Sequence, residues 1–78
     1  MKVTVKYFGL VAEAAEKSEE VMEFDGTLTA SELKAKCLNG LSITDKESIQ
    51  IAVNQNLDDK TTLKDGDEVA LLPPFAGG

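Results

Sequence analysis

Leu28-Thr29-Ala30-Ser31-Glu32-Leu33 is the stretch that decides how this chain folds. Thr29 and Glu32 have the spacing of a capping box: the threonine hydroxyl accepts from the N3 amide while the glutamate reaches back to the cap amide. Leu28 before the cap and Leu33 at N4 supply the matching hydrophobic staple. Ala30, Leu33, Cys37 and Leu41 then fall on one helical face, and Asn39-Gly40 provides a left-handed stop. A helix apolar on one face has to be buried against something, and the flanking sequence supplies a sheet.

Outward toward the N-terminus, Val21, Met22 and Phe24 predict a strand ended by the Asp25-Gly26 turn. Leu10–Lys17 is rich in helix formers and predicts a short helix after a break at Gly9. Val3, Val5 and Tyr7 alternate with Lys2, Thr4 and Lys6, the period of a half-buried strand. Phe8 falls on the polar face, as either a strand-end cap or part of a docking patch.

Outward toward the C-terminus, Ile49, Ile51 and Val53 alternate with Gln50, Ala52 and Asn54. Asn54-Gln55-Asn56 is a turn, with Leu57 in a short edge strand. Leu63 anchors a loop before the Lys64-Asp65-Gly66-Asp67 turn. Glu68–Leu72 is the last strand, Val69 and Leu71 inward and Leu72 outward like Phe8. The order is strand, short helix, strand, helix, strand, short strand, strand. It predicts an α+β domain: a mixed sheet of four to five strands with one main helix on one face. A β-grasp sheet, first and last strands parallel and adjacent, fits this order.

The domain is expected to occupy residues 1–72, with 73–78 a flexible tail. Pro73 and Pro74 cannot donate a ladder hydrogen bond, so the strand stops before them. Phe75, Ala76, Gly77 and Gly78 have too little side chain to pack as a unit. Six residues reach roughly 20 Å when extended, and two terminal glycines taper to bare backbone. Such a tail is either a loose end or a carboxylate threaded into a narrow slot. Its α-carboxyl is ionised and unreactive at neutral pH, so any chemistry at Gly78 requires activation by another protein.

Composition narrows the chemistry. The 78 residues carry eight basic and fourteen acidic side chains, a formal charge of −6. That disfavours nucleic acid and anionic membranes as partners; it either fits a basic docking surface on another protein or simply maintains solubility. Histidine is absent, which removes His-based triads and most zinc sites. Cys37 is the single cysteine, reads as a small core residue, and fits a reducing, cytoplasmic setting. A calcium loop begun at Asn54 would place Asp59 where glycine is needed and Asp65 where the bidentate glutamate belongs, so no metal site is predicted. No apolar run approaches the roughly 20 residues of a membrane span. With no evident catalytic constellation, the chain is expected to turn over no substrate alone.

Ala52-Val53-Asn54-Gln55, Leu63-Lys64-Asp65-Gly66-Asp67-Glu68-Val69 and Leu72-Pro73-Pro74-Phe75-Ala76-Gly77-Gly78 resemble the small, sulfur-carrying subunit of molybdopterin synthase, among the ubiquitin-like β-grasp sulfur carriers. The likeness spans essentially the whole chain, and the Pro-Pro followed by a terminal Gly-Gly is its most specific part. One departure is Ala12-Glu13, where that family often has Arg-Glu.

The resemblance implies that an ATP-dependent, E1-like enzyme adenylates Gly78 and that a sulfur donor protein converts it to a thiocarboxylate. The tail then enters the large synthase subunit and delivers sulfur to the pterin precursor of the molybdenum cofactor. No cofactor binds this chain; ATP is used by the activating partner. Gly78 carries the sulfur, Gly77 and Ala76 keep the tail thin, and Phe75, Pro74 and Pro73 aim and anchor it. Phe8, Leu57 and Leu72 are the expected partner-binding patch. Two alternatives stay open: the thiamine-pathway sulfur carrier, against which Pro73-Pro74 argues, and a ubiquitin-like tag or β-grasp adaptor.

Overall fold

The computed structural model describes residues 1–43 and 45–73. Among the described residues five strands form one sheet: β1 (Lys2–Tyr7), β2 (Glu19–Glu23), β3 (Gln50–Val53), β4 (Asn56–Leu57) and β5 (Glu68–Leu72), in the order β2-β1-β5-β3-β4. The same residues form two helices, α1 (Gly9–Ala15) and α2 (Ala30–Leu38), and a 3-10 turn at Lys46–Ser48. β1 and β5 pair in parallel at the centre, and every other pairing is antiparallel. This is the β-grasp arrangement that the element order predicts.

Alternation sets which face is buried. Val3, Val5 and Tyr7 of β1, Ile51 and Val53 of β3, and Val69 and Leu71 of β5 point into one core with Leu33 and Leu38 of α2. α2 starts as its sequence dictates. Thr29 Oγ1 accepts from the Glu32 amide at 3.2 Å, and Glu32 Oε1 accepts from the Thr29 amide at 2.9 Å. Leu28 and Leu33 are both buried beside this cap.

The helix ends at the Asn39-Gly40 stop that the sequence predicts, one turn short of Leu41. The Asn39 amide closes on the Ala35 carbonyl at 3.1 Å, and Gly40 follows with φ +86°. Leu41 therefore lies beyond the last turn and is half-buried, while Leu38 fills the core at 2% exposure.

At the pole where β5 begins, the loops hold one another. The Asp67 carboxylate accepts from the Lys64 amide at 2.7 Å and from Asn54 Nδ2 at 3.0 Å, while Asn54 Oδ1 accepts from the Glu68 amide at 3.1 Å. The hydrogen bond from the Lys64 amide, ahead of that from Asn54, holds the Asp67 carboxyl below its usual range. Asn54 and Gln55 form a two-residue hairpin turn, both with positive φ, so β4 is short and pairs only with the end of β3. The other pole, where β1 and β5 both end, is left for the site.

Candidate functional site

β1 and β5 run in parallel register, Tyr7 beside Leu71, so Phe8 and Gly9 follow Tyr7 where Leu72 and Pro73 follow Leu71. Pro73 is half-buried. A Cβ built on Gly9 would lie 2.9 Å from Pro73 Cγ, and Gly9 has φ +54°. The pyrrolidine ring thus rests on the first residue of α1, in space that only glycine leaves empty. Pro74, Phe75, Ala76, Gly77 and Gly78, all assigned to the tail, lie outside the described residues.

The sheet surface away from the helices carries the side chains of the opposite parity. Cross-strand partners share a face, so register places Lys6, Ala70, Ala52 and Leu57 in one row across four strands. Leu72, opposite Gln50, sits on the same face toward the tail pole, and Phe8 lies beside it by the β1–β5 register. Phe8 is 44% and Leu57 64% exposed, and Leu72 is intermediate. The structure thus makes Phe8 and Leu72 neighbours in register, with Leu57 two strands from β5 on the far edge.

Ala52 is only 6% exposed yet lies outside the core cluster, a small side chain sheltered on this flat surface. Lys6 Nζ and Glu68 Oε2 pair across it at 3.1 Å. Val21, opposite Thr4 on edge strand β2, is also exposed on this face.

Beneath the tail pole, the Tyr7 hydroxyl donates to Glu20 Oε1 at 2.6 Å, and Lys17 Nζ lies 3.3 Å from the same oxygen. Burial, then the bond to Glu20, raises the phenol above its ordinary value. The hydrogen bond from Tyr7, ahead of the one from Lys17, lowers the Glu20 carboxyl below its own. Cys37 is buried, with its thiol pushed up to about 11 by desolvation. A thiol so placed is a poor nucleophile at neutral pH. Among the described residues no group of three or more Cys, Asp or Glu side chains is arranged to hold a metal, and no helix is long and apolar enough to cross a membrane.

Gly9 is the site residue that sequence reasoning missed, having been read only as a break between strand and helix. Its signal was the predicted parallel pairing of first and last strands, which brings the residue after β1 toward the residue after β5.

The ThiS family model matches residues 5–78. A Mycobacterium tuberculosis protein named molybdopterin synthase sulfur carrier subunit is 39% identical over 82 residues, spanning 100% of this chain and 99% of its own length. The fold superposes with a TM-score of 0.61 and 30% identity on a chain from the Helicobacter pylori complex of subunits 1 and 2 of molybdopterin-converting factor, covering 100% of both chains. It superposes at 0.71 with 26% identity on the solution structure of small archaeal modifier protein 1 from Methanosarcina acetivorans, over 99% of this chain and 96% of that one.

Proposed function

The chain belongs to the ThiS family, and we propose that it is the sulfur-carrier subunit of a molybdopterin synthase. The observation that carries this reading is the end-to-end likeness to the M. tuberculosis sulfur carrier subunit. The exposed Phe8 and half-buried Leu72 side by side at the end of β5 support it, because a carrier has to dock before its tail is useful.

In this reading the chain ends at Gly78. The carboxylate attacks the α-phosphorus of ATP in an E1-like partner, pyrophosphate leaves, and an inert anion becomes an acyl adenylate. Sulfide-level sulfur released by a sulfur donor protein then attacks the acyl carbon, the C–O bond to AMP breaks, AMP leaves, and a thiocarboxylate remains. Sulfur suits delivery because it is anionic and polarisable, hence a strong nucleophile, like a thiolate. Docking on the large synthase subunit, through Phe8, Leu72 and Leu57, supplies the effective concentration that free sulfide lacks. Gly77 and Ala76 keep the inserted tail narrow; Phe75, Pro74 and Pro73 aim it.

The likeness to small archaeal modifier protein 1 favours a second reading, in which the activated Gly78 is joined to lysines of target proteins. Both readings share adenylation and part after it.

ATP–pyrophosphate exchange with the adenylating enzyme of the same cell tests the shared step. The native chain is expected to support exchange, and a chain extended by one residue past Gly78 is not. The extension moves the carboxylate by about 3.5 Å, where misplacement of about 1 Å already costs roughly a hundredfold. Equal exchange by both chains would remove Gly78 from the chemistry.

A further inference from the structure

We infer that Gly9 is a positioning residue for the tail, the seat on which the Pro73 ring fixes the direction in which the chain leaves the sheet. The functional consequence rests on the sulfur-carrier reading; the geometry does not. A Cβ on Gly9 would meet three atoms of one ring, Pro73 Cγ at 2.9 Å, Cδ at 3.7 Å and Cβ at 3.8 Å. Carbon atoms in contact sit about 3.5–4.0 Å apart, so a side chain at position 9 has to lift the ring or move the start of α1.

Neither partner yields freely. Val11, two residues past the start of α1, is fully buried, and its amide closes on the Phe8 carbonyl at 3.1 Å. Tyr7, two residues before Gly9, is held by Glu20. On the other side Leu72 is fixed in β5 opposite Gln50. Proline locks φ of residue 73, and Pro74 confines Pro73 to extended ψ. With those torsions restricted, the position of the ring becomes the heading of the chain that follows. Lifting the ring lowers the fraction of molecules whose tail points toward a docked partner. The apparent affinity falls by that fraction, while the chemistry at the terminus is untouched.

The test is a double-mutant cycle on the full chain, with Gly9→Ala, Pro73→Ala and the pair. Gly9→Ala is expected to raise KM for the adenylating enzyme about tenfold with kcat unchanged within about twofold. Pro73→Ala removes the ring without touching α1, so adding Gly9→Ala to it should raise KM little further, while the strain of a non-glycine residue at φ +54° lowers stability in both backgrounds. Tail heading is read independently by a nitroxide on Cys in an Ala76→Cys, Cys37→Ala background, through the backbone amides it broadens. Gly9→Ala should shift that set of amides when Pro73 is present and leave it unchanged when Pro73 is alanine. Additive losses in the cycle, or one broadening pattern for Gly9 and Gly9→Ala chains, would overturn the inference by reducing Gly9 to a helix start. If no chain is adenylated, the sulfur-carrier reading fails, and the broadening patterns still decide the role of Gly9.

Discussion

Tyr7 donates a 2.6 Å hydrogen bond to Glu20 Oε1, joining the end of β1 to β2 directly below the residues that carry the tail root. It is the only tyrosine and there is no tryptophan, so tyrosinate absorbance reports on this phenol alone. The folded phenol has a raised pKa, so its contribution is complete below the unfolded value of about 10 and is lost as pH climbs toward the folded one. Glu20 is the opposite case: its lowered carboxyl stabilises above the unfolded value of about 4.3 and loses that contribution as pH falls. We expect tyrosinate absorbance to appear only together with alkaline unfolding seen by circular dichroism. A smooth titration near pH 10 in a chain that stays folded would contradict the bond.

Leu38 and Leu41 lie on either side of the stop that ends α2. Leu38→Ala should cost about 3 kcal/mol, within the range for a buried leucine, because its side chain is 2% exposed in the core. Leu41→Ala, at a half-buried position beyond the helix, should cost less than half of that. Urea midpoints at unchanged slope measure both, and equal losses would extend α2 by another turn.

Phe8→Asp or Leu72→Asp should leave the fold intact and weaken binding of the large subunit by at least about 2 kcal/mol, roughly thirtyfold in Kd. Leu57→Asp belongs to the same face at its far edge and should weaken it less. Val21→Asp, on edge strand β2 away from the tail pole, serves as the control. Calorimetric affinities unchanged by all four would move docking off this face.

Gly77→Val should stop charging or insertion while the terminal carboxylate survives, because it widens the tail and restricts its torsions. Thermal melts should overlay the native chain, since no residue in the core cluster is altered. A lowered melting temperature would mean that position 77 packs on the domain.

The sheet was legible because its alternation is clean: Val3, Val5 and Tyr7 inward, Ile51 and Val53 inward, Val69 and Leu71 inward. The capping box and the Leu28–Leu33 staple were equally plain, being local patterns of backbone and side chain. The left-handed stop at Asn39-Gly40 was legible too; that Leu41 lies past it was not. Helical spacing places Leu41 on the apolar face, but Gly40 in a left-handed conformation diverts the chain first, and Leu38 takes the core position. The seat for Pro73 was hidden for a different reason. It depends on two residues far apart in sequence meeting at the ends of parallel strands, and neither periodicity nor propensity records a contact of that kind. The outward parity of Phe8 and Leu72 was readable, whereas their neighbourhood in register needed the β1–β5 pairing.

The claim on which the rest depends is that sulfur travels on Gly78. Intact-mass analysis of the chain isolated from its own cell, before and after incubation with the large subunit and the pterin precursor, tests it most directly. The expected result is a species with one terminal oxygen replaced by sulfur, which reverts to the carboxylate as the pterin precursor takes up sulfur. An unmodified terminus throughout, or branched conjugates to lysine in its place, would contradict it.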